Sequence, residues 1–256
     1  MPTLILSPRF SSDTQALWQA CIHAKGWNTH RAYRYQIPED IKNPTVYGEM
    51  QFCDIVASRI GLHLLEPPNG FLQDLCQMYG GERFTCRKIS LIAHKELKHI
   101  KERRFIKPAN DKVFVAGIYE RGEDVPHKYI DPECPVIVSD VVKFDLEYRC
   151  YVLDGKVQTL SCYEWPGMVH QENPNEADDA RSFARNLLDF YPVRLPSAFV
   201  LDVGKLEDGR WAVIEANQAY ASGIYHEADV SKVLPIIARA ASHEVSEADQ
   251  VFIRDL

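Results

Sequence analysis

Apolar residues in this chain fall into two rhythms, and the rhythm changes repeatedly along its length. The run at 3–6 (TLIL) predicts a short strand. Leu17, Ala20, Cys21 and Ala24 then recur at helical spacing, so a helix is expected from a cap at Asp13 to about residue 25, with Gly26 as its stop. Alternation over 27–35 and a short run at 45–48 predict two further strands. Phe52, Val56 and Ile60 place a helix over 50–60 that Gly61 ends. A strand at 62–65 is halted by Glu66-Pro67-Pro68, and a helix over 71–79 stops at Gly80-Gly81. Strands alternating with helices in this way predict a small, open, largely parallel α/β domain. It contains no G-x-G-x-x-G, so no dinucleotide is assigned to it.

The composition shifts from Arg83 onward. A helix rich in Lys and His is expected around 90–101, then two strands within 105–119 around a Pro-Ala-Asn-Asp turn, and an apolar strand over 135–144. Strands at 147–153 and 156–162 flank Asp154-Gly155, a hairpin signal. An amphipathic helix over 175–190 opens in acidic residues, as a helix dipole favours. A last helix spans 230–241, and Pro235 either kinks it or marks its start.

Between those two helices lies SAFVLDVGKLEDGRWAVIEANQAYASGIY (197–225), two extended runs joined at Asp208-Gly209. If those two residues form a two-residue turn, Asp202 lies opposite Glu215, and Asn217 leaves the same face as Glu215. Carboxylates facing each other across a ladder repel. A divalent cation removes that repulsion, and Asp, Glu and an Asn carbonyl are the hard oxygen donors that Mg²⁺ prefers and commonly shares with nucleotide phosphates.

Composition narrows the alternatives. The chain has 256 residues, 46% hydrophobic and 25% charged, enough for two or three packed lobes. A net charge of −7 argues against a general nucleic-acid surface. No apolar run approaches the ~20 residues that span a bilayer, and MPTLILSPRF lacks the features of a signal peptide, so no membrane association is expected. Seven cysteines form no C-x-x-C pair, which fits reduced thiols and a cytoplasmic location.

Four pieces stand in order: FIKP with Lys107, the apolar VIVSDVV, EYR with Glu147 and Arg149, and the acidic hairpin. EYRCYVLDGKV followed by LDVG and VIEANQAYASG resembles the ATP-grasp superfamily, in one of its less characterised clades, over about residues 85–241. The resemblance implies an α/β N-terminal domain of the pre-ATP-grasp kind (1–84), then a two-lobed α+β ATP-grasp fold with a small lobe (85–144) and a large lobe carrying the metal site (145–256). It assigns Lys107 to the ATP phosphates and the backbone of Ser139, Asp140 and Val141 to adenine, with Asp140 near the ribose. It joins Glu147 to the nucleotide site, gives Arg149 the transferring phosphate, and makes Asp202, Glu215 and Asn217 ligands of Mg²⁺. Ser222, Gly223 and Tyr225 would reach toward the acceptor.

One departure stands out: PANDK replaces the usual glycine-rich loop, so either the backbone approaches the phosphates less closely or Lys112 supplies a charge. A second ATP lysine is expected from Lys88, with Lys95 as competitor. The implied activity is an ATP- and Mg-dependent ligase joining a carboxylate to an amine, on small-molecule or peptide substrates, through an acyl phosphate with release of ADP and phosphate. A kinase of the same fold and a nucleotide-binding module without turnover are the alternatives.

Overall fold

The computed structural model describes residues 1–24, 26–109, 113–162, 174–190, 195–225 and 228–256. Chain order begins with β1 (Thr3–Leu6), α1 (Ser12–His23), β2 (Asn28–Arg31), β3 (Pro44–Tyr47), α2 (Met50–Ile60) and β4 (His63–Leu64). Next come α3 (Phe71–Gln77), α4 (Glu82–Thr85), β5 (Ile89–Ala93), β6 (Arg104–Pro108), β7 (Gly117–Tyr119) and β8 (Pro135–Ser139). Then follow β9 (Phe144–Leu153), β10 (Lys156–Cys162), α5 (Pro174–Phe190), β11 (Ala198–Leu206), β12 (Trp211–Asn217), α6 (Val230–Ala240) and β13 (Ala241–Ser242). Compactness divides the chain into two units that do not follow chain order, unlike the three consecutive segments expected. The first is Met1–Pro67, Leu146–Val203 and Glu215–Leu256; the second is Pro68–Asp145 and Gly204–Ile214.

The first unit opens with a parallel sheet of order β2-β1-β3. Leu4, Ile5 and Leu6 are all fully buried, as a central parallel strand covered on both faces requires. α1 is capped by Ser11, not by Asp13 as expected. The Ser11 hydroxyl accepts from Thr14 N–H at 3.2 Å, and Ser11 N–H donates to Thr14 Oγ1 at 3.0 Å, a reciprocal box that Asp13, already inside the helix, does not make. α2 keeps the expected bounds and ends at Gly61 with φ 72°. The strand expected at 62–65 shrinks to β4, which pairs antiparallel with β13 and stays out of the parallel sheet. Pro235 sits inside α6, whose cap is Asp229, accepting from Ser231 N–H at 3.1 Å.

The second unit holds an antiparallel sheet of order β5-β8-β6-β7 over a core of Leu97, Ile106, Phe114, Val125, Val136 and Val138. The helix expected at 90–101 is instead β5 followed by a 3₁₀ helix, His94–His99. ISLIA pairs along its whole length with β8, and that ladder overrides the local helical composition. β8 stops at Ser139, short of the expected 144, because the Asp140 carboxylate takes the Lys88 N–H and the Arg104 guanidinium and ends the pairing.

The remaining sheet has the order β10-β9-β11-β12 and contains both Asp-Gly sequences. Asp154 and Gly155 form the expected two-residue turn, with φ 48° and 69° and Leu153 opposite Lys156. Asp208-Gly209 does not. Gly209 N–H donates to the Leu206 carbonyl and Leu206 N–H to the Arg210 carbonyl, each at 2.8 Å, while Gly209 has φ 83°. This is a longer loop with glycine in the bulge position, stabilised by Asp208 accepting from the Arg210 N–H at 3.1 Å. The tip register is therefore one residue out from the expected one.

The glycines give a graded test. A Cβ at Gly209 meets nothing within 4 Å, so Gly209→Ala carries only the left-handed backbone cost of about 1 kcal/mol. A Cβ at Gly81 falls 1.9 Å from the Leu75 carbonyl oxygen, and Gly81→Ala is expected to cost ~3 kcal/mol. Urea midpoints in the opposite order would contradict this backbone geometry.

Candidate active site

β11 is buried almost end to end, and Asp202 sits in it at 1% exposure. A carboxylate there requires a partner. Arg149, itself buried on β9, supplies one in a two-pronged arrangement: Nε donates to Oδ1 at 2.9 Å and Nη2 to Oδ2 at 2.8 Å. The third prong, Nη1, donates to the Gly223 carbonyl at 3.0 Å, and that carbonyl also accepts from Tyr151 Oη at 2.8 Å. The Tyr225 ring lies 5.2 Å from the same guanidinium. Ser222 is buried, its hydroxyl donating to the Gln218 carbonyl at 2.7 Å and its own carbonyl accepting from Tyr47 Oη at 2.9 Å.

Glu215 and Asn217 join this cluster. Asn217 Nδ2 donates to Glu215 Oε1 at 2.8 Å and reaches Asp202 Oδ2 at 3.3 Å. A one-residue offset carried from the hairpin tip would put Asp202 on the opposite face from these two residues. Their direct contact shows that they share a face, so the expected convergence holds although the turn differs. Glu147 belongs here electrostatically: burial first, then Asp202 and Glu215, push its carboxyl up to about 7, with Arg149 pulling the other way.

Two polar contributors escape sequence reasoning. Ser161 lies directly opposite Arg149 across the β9–β10 ladder, hence on the same face, and its buried Oγ has no hydrogen-bond partner. The Asp154-Gly155 turn alone would put Leu160 there; a bulge between Val157 and Thr159 shifts the register by one. Tyr47 is the other. Its hydroxyl reaches Asp13 Oδ2 at 3.1 Å as well as the Ser222 carbonyl, a pairing that no local signal announces.

The donor chemistry suits a hard divalent cation. Glu147, Asp202 and Glu215 place three carboxylates against the single guanidinium of Arg149, and the raised Glu147 pKa records the surplus negative charge. Among the described residues, no three His, Cys, Asp or Glu side chains group as a metal site by themselves. The amide of Asn217 completes the oxygen set, turned to present Oδ1.

The nucleotide-binding candidates lie in the second unit. Lys107 is half-buried on β6, opposite Ile137, its neighbours Ile106 and Pro108 buried. Lys88 is exposed, and its backbone exchanges hydrogen bonds with Asp140: N–H to Oδ2 at 3.0 Å, carbonyl from Asp140 N–H at 3.1 Å. With Arg104 on Oδ1, the Asp140 carboxylate is engaged in holding the sheet. Ser139 is buried in β8, whereas Val141 lies beyond the strand and is exposed. Lys95 pairs with Glu133. Lys112 lies outside the described residues. None of the seven cysteines forms a disulfide, and no helix among the described residues is long and apolar enough to cross a membrane.

A family model of the ATP-grasp domain, the second family of its clade, matches residues 84–235. No curated protein matches the chain in sequence. Among solved structures, it is similar to D-cycloserine synthetase DcsG (14% identity, TM-score 0.56, covering 93% of this chain and 99% of that one). It is also similar to the D-alanine–D-alanine ligase of Bacillus anthracis complexed with ATP (13%, 0.52, 94% and 96%). A third is the macrocyclase MdnC bound with its precursor peptide, from Microcystis aeruginosa MRC (12%, 0.51, 93% and 99%). At these identities the likeness is one of fold, and the fold is ATP-grasp.

Two measurements test the electrostatics. Arg149→Ala leaves a buried carboxylate uncompensated and is expected to cost about 3–5 kcal/mol in urea unfolding; a loss within ~1 kcal/mol would contradict the pairing. Glu147 binds its proton more tightly folded than unfolded, so its stability contribution is complete below the ordinary value of 4.5 and is lost as pH rises through about 7. In metal-free buffer, Glu147→Gln should therefore raise the melting temperature more at pH 8 than at pH 5. Parallel profiles for the two proteins would contradict the raised pKa.

Proposed function

The chain belongs to the ATP-grasp domain family matched over residues 84–235, and from that membership we propose an ATP- and Mg-dependent ligase that joins a carboxylate to an amine. The observation that carries this reading is the cluster of three carboxylates around one buried guanidinium. Surplus negative charge in a half-buried site serves a structure poorly but serves a cation and its phosphates well. In this reading residues 1–84 are the pre-ATP-grasp domain, and 85–144 and 145–256 are the two lobes. The ligases and synthetases among the similar structures support a ligase over a kinase.

Asp202, Glu215 and Asn217 would hold Mg²⁺, which when bound neutralises phosphate charge. Lys107 adds its ammonium to the triphosphate, and the main chain at 139–141, Val141 above all, faces the adenine. Arg149 keeps one edge on Asp202 and offers the guanidinium charge to the equatorial oxygens of the transferring phosphate. The substrate carboxylate oxygen attacks the γ-phosphorus, the bond to the β-phosphate oxygen breaks, and ADP leaves. An amine then attacks the acyl carbon, inorganic phosphate departs, and the amine proton passes to solvent. No side-chain nucleophile enters the sequence.

The products distinguish the readings. The ligase should yield ADP and phosphate, and hydroxylamine should replace the amine to give a hydroxamate from the correct acid. A stable phosphate ester would make the protein a kinase, AMP would overturn the phosphate geometry, and ATP binding without turnover would leave a binding module.

A further inference from the structure

The first unit contains a pocket that the ATP-grasp reading does not use. The chain leaves β1 for β2 on one side and then crosses to β3 on the other, so the strand order reverses between β1 and β3. In open parallel sheets the crevice beyond the strand ends at such a reversal is where ligands sit. Leu6 lies opposite Tyr47, and Ser7 and Gly48 follow them directly. A cavity of about 360 Å³ opens there, lined in part by Ser7, Arg9, Asp13, Gly48, Glu49 and Gly223. Gly48 permits the close approach, since a Cβ on it would fall 2.5 Å from Ser7 Cβ.

The lining carries both signs of charge. Ser7 is 1% exposed, yet its Oγ has no hydrogen-bond partner. The N-terminus of α1, a helix of 12 residues, borders the pocket. Its capping box uses the Thr14 N–H, and Gln15 N–H bonds the Ser11 carbonyl, while the N–H groups of Ser12 and Asp13 take no acceptor among the described residues. α2 also begins here, and Glu49 makes no side-chain cap. Helix N-termini, Arg9 and an unpaired hydroxyl favour an anion. Opposing them, Glu49 lies 3.6 Å from Arg9, and Asp13 is held by Tyr47 Oη at 3.1 Å and Ser12 Oγ at 3.0 Å. A polyanion would meet both carboxylates; a zwitterion matches both signs.

The pocket also abuts the catalytic cluster. A Cβ on Gly223 would lie 3.6 Å from Asp13 Oδ2 and 3.6 Å from Arg149 Nη1, so Asp13 stands just across that glycine from the guanidinium. We propose that this pocket binds the amine substrate as a free α-amino acid. Its carboxylate lies against Ser7 Oγ, the first N–H groups of α1 and Arg9, and its ammonium lies against Asp13, beside Gly223. The proposal rests on the ligase reading and adds to it the class of the amine.

Calorimetry on the full chain with Mg-ATP present tests it, with the standard α-amino acids, D-alanine, propionate, ethylamine and inorganic phosphate as probes. At least one amino acid should bind, and propionate, ethylamine and phosphate should bind at least tenfold more weakly. Ser7→Ala and Asp13→Asn should each weaken amino-acid binding at least tenfold. Ser7→Ala should leave the melting temperature unchanged or higher, because it removes a buried unpaired hydroxyl; a Ser7 that merely served the fold would show the reverse. Phosphate or propionate binding as tightly as the best amino acid overturns the proposal, as do variants that bind amino acids like the wild type. Mg-ATP binding with no amino-acid binding sinks this pocket alone, whereas failure to bind Mg-ATP sinks the ligase reading.

Discussion

A carboxylate in the middle of a strand buried along nearly its whole length must be neutralised, and in this protein that constraint falls on Asp202. Its partner, Arg149, comes from the neighbouring strand β9, so the order β10-β9-β11-β12 is also an electrostatic requirement. The same guanidinium holds the Gly223 carbonyl, which fixes the chain beyond β12. Glu147 and Glu215 then face a guanidinium already committed to Asp202, and their charge is left in surplus. That surplus shows in the Glu147 carboxyl, pushed up to about 7, and is the physical ground for expecting a cation.

Much of this was legible in the sequence because β-structure has a period of two. Glu215 and Asn217 had to share a face, and so did Glu147 and Arg149. The pairing of Arg149 with Asp202 was not legible, because it depends on β9 and β11 lying side by side with α5 between them in the chain. The two Asp-Gly sequences show how local chemistry underdetermines register. Asp154-Gly155 adopts a two-residue turn, while Gly209 takes a bulge position stabilised by Asp208 and Arg210. Ser161 escaped for the same kind of reason, a one-residue bulge. The basic, polar stretch at 94–101 read as helix, but the apolar pentapeptide before it was claimed by β8.

The second unit shows how a resemblance and a geometry divide the work. Lys107 sits half-buried on a strand whose neighbouring positions are core, the placement a phosphate-reaching lysine needs. Asp140, assigned by resemblance to the ribose, spends both carboxylate oxygens on Lys88 and Arg104, which leaves the main chain at Val141 as the better-suited feature for adenine. In the first unit, Ser7 and Asp13 drew little notice in the sequence, since only the pairing of β1 with β3 brings them beside Tyr47, Gly48 and Gly223.

The central claim is that the surplus carboxylates form a cation site serving ATP. Glu215→Gln tests it most directly, because it removes one charge while leaving the Arg149–Asp202 pair intact. ATP binding measured by calorimetry with and without Mg²⁺ should show at least a tenfold Mg²⁺-dependent gain in the wild type. In Glu215→Gln that gain should be lost while the unfolding midpoint is unchanged. An undiminished Mg²⁺ dependence in the variant would contradict the account.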